Sequence, residues 1–438
     1  MSFRPLPPRM RQIPARKSAI LSILDVGASK IVCLIARLTP MEPSDALRGR
    51  THRCKVLGIG HQRSNGVKGG AIVDLQAAEH AARLAIDAAE RMAGVEVGGV
   101  IVNMSGGLLS SQRFSAKVAL RGKTVSEHDI HRVLEAASAA NARPGRSVLH
   151  ALPTSYSLDA TADVRDPKGM IGEALGVDLH VASCESAAAR NLMLVVERCH
   201  LNVEAMAASP YVAGLSVLTD DEADLGAAVV EMGAGTTTMA IYSGGRFIHA
   251  SGFAVGGQHI TMDLARGLSA CIADAERIKT LYGTVLTGGS DARELMSVPT
   301  AGDNEPDVPQ IVSRATIGNI VRHRAEEIFE MVRDRLADSP FAAEPKARVV
   351  LSGGAAQLTG LVELATRILN RPVRLGRPLG FGRLPSEAKT ASFAVPAGLL
   401  VYPQYAHLEH VEPRHTRQLK TGTDGYFGKV GRWLREGF

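Results

Sequence analysis

Apolar residues gather along this chain in short runs cut by acidic and small residues, and one such design occurs twice. Around residues 20–38, "AILSIL" and "IVCLIARL" flank "DVGASK", and residues 227–242 read "AAVVEMGAGTTTMAIY". In each, an acid ends the first run (Asp25, Glu231), a glycine follows two positions on (Gly27, Gly233), and a small residue comes two later (Ser29, Gly235) before a second apolar run. Runs this short, bounded by turn residues, predict strand-turn-strand hairpins. Their recurrence about 200 residues apart predicts two related lobes.

A third pattern, "ARVVLSGGAAQLTGLVELATRIL", sets a β-rich run before Gly353 and Gly354 and then Leu358, Leu361, Leu364 and Ile368 at helical spacing. "TVLTGGSDARELM" at 284–296 imitates it without the long helix and is read as a surface turn. The glycine-rich "GIGHQRSNGVKGG" lacks a G-x-G-x-x-G and is read as a loop entering a helix at 75–93. Within 101–186, alternating runs and "SEHDIHRVLEAASAA", with Ser126 as N-cap and Asp129 at the third helical position, predict a compact α+β unit.

The last stretch, "FGKVGRWLREGF", carries Trp433, the only tryptophan in 438 residues. On a helix at ~100° per residue, Tyr426, Phe427, Val430, Trp433, Leu434, Gly437 and Phe438 share an arc of about 140°, with Lys429, Arg432 and Arg435 outside it. This predicts an interfacial amphipathic helix with a basic polar face suited to anionic lipid. A terminal helix docked on the protein's own core is the alternative, and Gly428 and Gly431 weaken an isolated helix. The approach, residues 403–425, is polar and aperiodic and reads as a flexible linker with a reach of about 25–30 Å.

Composition narrows the classes. The length suggests two to four domains at ~150 residues each, and 45% hydrophobic content provides for sizeable cores. The best early candidate for a membrane span, "AILSILDVGASKIVCLIARL", is broken by Asp25 and Lys30, short of the ~18 uninterrupted apolar residues required. Cys33, Cys54, Cys184, Cys199 and Cys271 are scattered and odd in number, which argues against a disulfide framework or zinc site and fits a reducing cytoplasm. Residues 1–19 are basic and proline-rich without an apolar core, as in a disordered arm. The net charge of +6 comes with only 4% aromatics and no basic-aromatic pattern, so nucleic acid is not expected as a partner.

The paired hairpins carry the chemistry. Glycine permits the tight turn and close approach of backbone N–H groups to phosphate oxygens, while Ser29, Thr236 and Thr237 offer hydroxyls and Lys30 a charge. The carboxylates of Asp25 and Glu231 can hold a magnesium ion directly or through its waters. Taken singly, each hairpin also reads as an ordinary turn; neither leads into the G-K-[ST] of a P-loop. Diglycine 353–354 at a strand end lets a nucleoside lie against the backbone.

Two D/E-x-G-x-[SG] hairpins followed by a late L-S-G-G-A-A-x-L-x-G loop resemble the actin, chaperone and sugar-kinase superfamily, whose two lobes close over ATP. Within it the chain resembles the FtsA family of bacterial cell division, over most of residues 20–438. The resemblance rests on "GVKGGAIVDLQAA", "SVLHALPTSYSLDATADVRDPKGMIGEALGVDLHVAS", "NLMLVVERCHLNVEAMAASPYVAGLSVL", "GGQHITMDLARGLSACIADAERIKTLYG" and the tryptophan-bearing tail. It implies an α/β, two-lobed actin-like (ribonuclease H-like) fold with a small inserted α+β subdomain and a C-terminal amphipathic helix.

The resemblance also implies roles. Gly27, Ser29 and Lys30 match the first phosphate loop and Gly233, Ala234, Gly235, Thr236 and Thr237 the second. Glu276 and Lys279 in "AERIK" flank the adenosine, with Gly353 and Gly354 on its other side; a solvated pair at i, i+3 explains Glu276 and Lys279 nearly as well. Asp25 and Glu231 would face Mg2+. Phe427, Val430, Trp433, Leu434 and Phe438, with Lys429, Arg432 and Arg435, would meet the membrane. No catalytic residue is assigned. The family usually has aspartate where Glu231 stands and often a second one at Thr238, so at most slow ATPase activity is expected.

The expected division is a basic arm 1–19, first lobe 20–100, inserted subdomain 101–186 and the remainder of the first lobe 187–215. The second lobe follows with a large subdomain 216–250, a small subdomain 251–330, and 331–402 completing the large subdomain and returning to the first lobe, before linker 403–425 and helix 426–438. Implied partners are the tubulin-like FtsZ at the small subdomain, later division proteins at the inserted subdomain, further copies of the chain, and anionic lipid on the cytoplasmic face of the inner membrane at the division site. A pilus-assembly ATPase of the same superfamily and a small-molecule kinase are the rival readings.

Overall fold

The computed structural model describes residues 7–42, 47, 49–139, 144–286, 294–299, 310–381 and 385–410. The expected helix 426–438 and its membrane residues, most of the linker, and all of the "TGGSDAR" turn lie outside these residues.

The first apolar pair forms the expected hairpin, Ala19–Val26 antiparallel to Lys30–Pro40. It is the centre of a five-stranded sheet ordered 202–208, 99–104, 19–26, 30–40, 52–63, whose first three strands run parallel. The second pair, Ala227–Met232 and Thr237–Ser243, centres another five-stranded sheet ordered 246–253, 237–243, 227–232, 348–352, 373–375. Read outward from its own first strand, each sheet has two antiparallel strands on one side and two parallel strands on the other. The repeat legible in the turns is thus a repeat of whole lobes, each with its own apolar core.

Helix Leu75–Ala93 matches its predicted bounds. Asp74 caps it by accepting from the Ala77 N–H at 3.0 Å, and Gly94 ends it in the left-handed region at φ 65°. Its buried face is almost all alanine, Ala78, Ala81, Ala82, Ala85 and Ala89, and it lies against strand His52–Arg63. A Cβ on Gly60 would stand 1.7 Å from the Ala85 carbonyl oxygen, so small residues on both elements set the approach. Part of the glycine-rich stretch expected to be a loop is therefore strand, because its alternate residues face this helix.

The inserted subdomain is an antiparallel sheet ordered 110–119, 174–185, 146–158, 161–164, backed by helix Glu127–Ala139 with a third core. Ser126 and Asp129 cap that helix reciprocally as expected: Ser126 N–H and Oγ donate to Asp129 Oδ2 at 3.1 and 2.6 Å, and Asp129 N–H donates to Ser126 Oγ. The insertion begins later than 101, since Gly99–Met104 pairs with both neighbours in the first-lobe sheet.

Three other boundaries shift. Residues 7–18 are held on the body: Ile13 is buried, and the Met206 N–H donates to Pro8 O at 3.1 Å. At the other end, Pro403–Tyr405 finish helix Ala394–Tyr405, which packs on Ser209–Val217, and Glu409 and His410 are buried, so the linker cannot begin at 403. Helix Arg314–Ala337 runs through the expected division at 330. After Gly354 a short 3-10 turn, Ala355–Gln357, replaces the expected helix start; Gly360 at φ 81° interrupts the chain and helix Leu361–Leu369 follows. No helix among the described residues is long and apolar enough to cross a membrane.

Candidate functional site

Both hairpin turns point into one cleft between the lobes. Each is closed by the same hydrogen bond, Gly27 N–H to Lys30 O at 3.0 Å and Gly233 N–H to Thr236 O at 2.8 Å. They face each other closely enough that a Cβ on Gly235 would lie 2.9 Å from the Ala28 methyl and 3.0 Å from the Gly69 nitrogen. The second turn also receives a helix. Gly233 O and Ala234 O accept from the N–H groups of Gly257 and Gln258 at 2.9 and 2.8 Å, placing the start of helix Gly257–Gly267 at the turn.

Asp25 and Glu231 stand at the strand ends, both buried. Burial pushes Asp25 up to about 6, partly offset by Lys30, and pushes Glu231 up to about 8, with the nearby Asp25 carboxylate adding to it. Lys30 is lowered by its own burial, against the attraction of both acids. Its ammonium donates to Ser392 O at 3.1 Å and sits 4.3 Å from the centroid of the Phe393 ring, so a residue from the first turn reaches the segment before the final helix. Thr238, where the family often has a second acid, donates to Glu231 Oε2 at 3.3 Å and steadies the longer side chain. Thr237 turns away from the cleft to donate to Val255 O at 2.8 Å.

Gly353 lies at the end of the strand beside Glu231, at φ 91°, and a Cβ there would lie 2.3 Å from Met232 O and 2.8 Å from Glu231 Oε1. Both conformation and space demand glycine. Gly354 is open by comparison. Glu276 and Lys279 form the i, i+3 pair at 2.6 Å, and Lys279 also donates to Gly257 O at 3.1 Å and Thr261 Oγ1 at 2.8 Å. They are therefore tied to the helix that starts at the second turn, while Glu276 remains half exposed.

This setting fits a nucleotide with Mg2+. The buried hydroxyl of Ser352, next to Glu231 in the register, has no partner, nor has that of Ser64, whose N–H donates to Ser29 O. No group of three or more candidate metal ligands occurs among the described residues; Mg2+ would take one or two carboxylates, its own waters and phosphate oxygens.

Several cleft residues were missed from sequence. Asn103 ends its own apolar run in "GVIVNMSGG" much as Asp25 and Glu231 end theirs; its Oδ1 accepts the Val26 N–H at 2.7 Å and its Nδ2 donates to Ser209 Oγ at 3.1 Å. That repeated strand-end polar residue was a usable signal. Gly69 and Gly70, read as part of a plain loop, press against Gly235 and Gly106, an approach that no local pattern marks.

A family model described as "Cell division protein FtsA" matches residues 228–398, and one described as "SHS2 domain inserted in FTSA" matches residues 106–183. The chain is 48% identical over 432 residues to the cell division protein FtsA of Agrobacterium fabrum, covering 98% of each chain. Against that of Neisseria meningitidis serogroup B it is 32% identical over 420 residues, 95% of this chain and 98% of the relative. Among solved structures it is similar to the PilM-PilN type IV pilus biogenesis complex, with TM-score 0.60 and 16% identity over 88% of this chain and 98% of that one. It is also similar to MreB5 of Spiroplasma citri bound to ADP, with TM-score 0.52 and 14% identity over 89% and 97%. At such identities the likeness concerns the fold alone, which is two-lobed and actin-like. Near-half identity along almost the full length decides between the division family and the pilus and kinase readings: the chain belongs to the FtsA family of cell division proteins.

Proposed function

We propose that this protein is an ATP-binding tether that links FtsZ filaments to the cytoplasmic face of the inner membrane at the division site. The observation that carries the nucleotide reading is the pair of glycine turns meeting across one cleft, each with a buried acid at its strand end. Gly27, Ser29, Lys30 and Gly233–Thr237 would surround the phosphates, and Glu276, Lys279, Gly353 and Gly354 the adenosine. Asp25 and Glu231 would face Mg2+, which when bound neutralises phosphate charge. Thr237 would contribute its backbone, since its hydroxyl is engaged elsewhere.

The small subdomain of the second lobe, around 251–330, would take the filament protein. Ile272, Leu281, Leu295 and Ile311 are exposed there and would offer apolar contacts. Later division proteins would bind the inserted subdomain, and the body would self-associate as actin-like proteins do. Residues 426–438 would hold the membrane through Phe427, Val430, Trp433, Leu434 and Phe438, with Lys429, Arg432 and Arg435 at the headgroups.

Sedimentation with anionic liposomes, with and without ATP and Mg2+, tests tether and nucleotide together. Wild type is expected to sediment, more strongly when ATP promotes self-association and hence avidity. Equal sedimentation of wild type and Trp433→Glu would overturn the membrane assignment.

A further inference from the structure

Away from the nucleotide cleft, four parts of the molecule enclose a cavity of about 190 Å3. Helix Ser209–Val217, strand Arg246–Phe253, strand Arg146–Leu158 and the turn Ala406–Leu408 all contribute to its wall. Its lining includes five aromatic residues, Tyr156, Tyr211, Tyr242, Phe247 and Tyr405, with Leu408 beside them and polar groups at its sides. The wall is rigid, because Tyr211 and Phe247 stack at 4.5 Å between centroids and the Tyr242 hydroxyl donates to Tyr211 O at 2.6 Å. A cavity of ~150 Å3 with apolar walls is enough to bind benzene, so this one admits an aromatic side chain.

We propose that the chain's own C-terminal segment docks here when no membrane is present, with the Trp433 indole in the cavity. This rests on the reading of that segment as the membrane anchor and adds a second, competing place for it. The described chain ends at His410, two residues past Leu408 in the cavity wall, so the segment starts at the cavity's edge. Trp433 lies 23 residues beyond His410, and a flexible chain of that length reaches roughly 25–30 Å, ample for return.

The charges around the cavity bear on the orientation. Thr219, Asp220 and Ala223 form one side of the wall, from the start of helix Asp220–Leu225, whose first turn is Asp220, Asp221 and Glu222. On the tail helix Trp433 stands at the edge of the apolar arc, with Lys429, Glu436 and Arg432 ~40°, ~60° and ~100° away, so inserting the indole turns two bases and one acid toward that turn, whose Glu222 already pairs with Arg348 and Arg374. Of the two arginines in the wall, Arg246 is already bound to Thr154 O and to Asp163 at 3.1 Å.

A lone tryptophan makes the test direct. In the lipid-free full chain, Trp433 emission is expected to be blue-shifted and its acrylamide quenching several-fold weaker than that of N-acetyltryptophanamide, independent of protein concentration. Leu408→Arg at the rim and, separately, Asp220→Lys should restore quenching and raise affinity for vesicles of phosphatidylglycerol and phosphatidylcholine about five- to tenfold, by freeing the docked fraction. ATP binding and the far-ultraviolet circular dichroism of both variants should match wild type. Quenching like the free indole in wild type refutes docking. Protection that neither variant relieves places the segment elsewhere and refutes the cavity, and protection that grows with protein concentration refutes an intramolecular dock. Absence of vesicle binding in all three proteins overturns the tether, while the lipid-free quenching still decides the docking.

Discussion

Gly235 is the position at which one added atom would press the two turns apart. Its missing Cβ would meet the Ala28 methyl at 2.9 Å and the Gly69 nitrogen at 3.0 Å, against an ordinary contact of 3.4–4 Å. Neither neighbour is the free end of a flexible side chain, so Gly235→Ala must part the turns by about half an ångström or more, an overpacking that costs about 1–3 kcal/mol. Gly235→Asp adds a charge. A carboxylate ~6 Å from a phosphate, at an effective dielectric near 20, opposes binding by about 3 kcal/mol, or roughly 100-fold in affinity. Titration with a fluorescent ATP analogue should therefore show a graded loss, Ala modest and Asp severe, while thermal unfolding remains a single cooperative transition. If folded Gly235→Asp binds ATP as wild type does, the turns are structural hairpins and the nucleotide lies elsewhere.

Other expectations follow from the same geometry. With a glutamate at 231 and no acid at 238, ATP should bind far better than it is turned over; rapid multiple turnover yielding a phosphorylated small molecule would establish a kinase instead. Trp433→Glu should leave the liposome pellet while retaining ATP binding, and rising salt should weaken wild-type attachment. His180, fully buried between the inserted subdomain and the second lobe, accepts from Ser111 at Nε2 (2.8 Å) and donates from Nδ1 to Phe247 O (3.0 Å), which fixes the neutral ring. Burial pushes it down to about 3. A histidine lowered on folding gives stability that is full above the unfolded value near 6.5 and is lost as pH falls below it, by about 2 kcal/mol between pH 7 and 5. Thermal melts at the two pH values should show a smaller acid shift in His180→Gln; an unchanged shift would acquit this residue.

What could be read from sequence was what the chain writes locally. The two turns, the helix cap at Ser126 and the alanine-faced helix 75–93 each depend on residues a few positions apart, so pattern sufficed. Gly69 failed that test, because its meaning comes from Gly235, over 160 residues away. The polar stretch from 403 failed for a related reason: Glu409 looks solvated in sequence, yet it is buried, with His150 Nδ1–H of the inserted subdomain donating to its carboxylate at 2.7 Å. Gly360 is visible in the sequence, but its left-handed conformation inside an apolar period delays the helix regardless of the leucines before it, and the leucine spacing alone does not show this.

The fastening at 409–410 also has a mechanical meaning. Glu409 is held by His150, whose other ring nitrogen accepts the Ala208 N–H at 2.8 Å; the His410 N–H donates to Ala151 O at 2.8 Å, and Arg9 donates to His410 O. A pull on the segment beyond His410 is therefore carried first by the seam where the inserted subdomain joins the first lobe, and by the chain's opening residues laid across it. A tug on the tail of a protein built this way would meet the inserted subdomain before it meets helix Ala394–Tyr405.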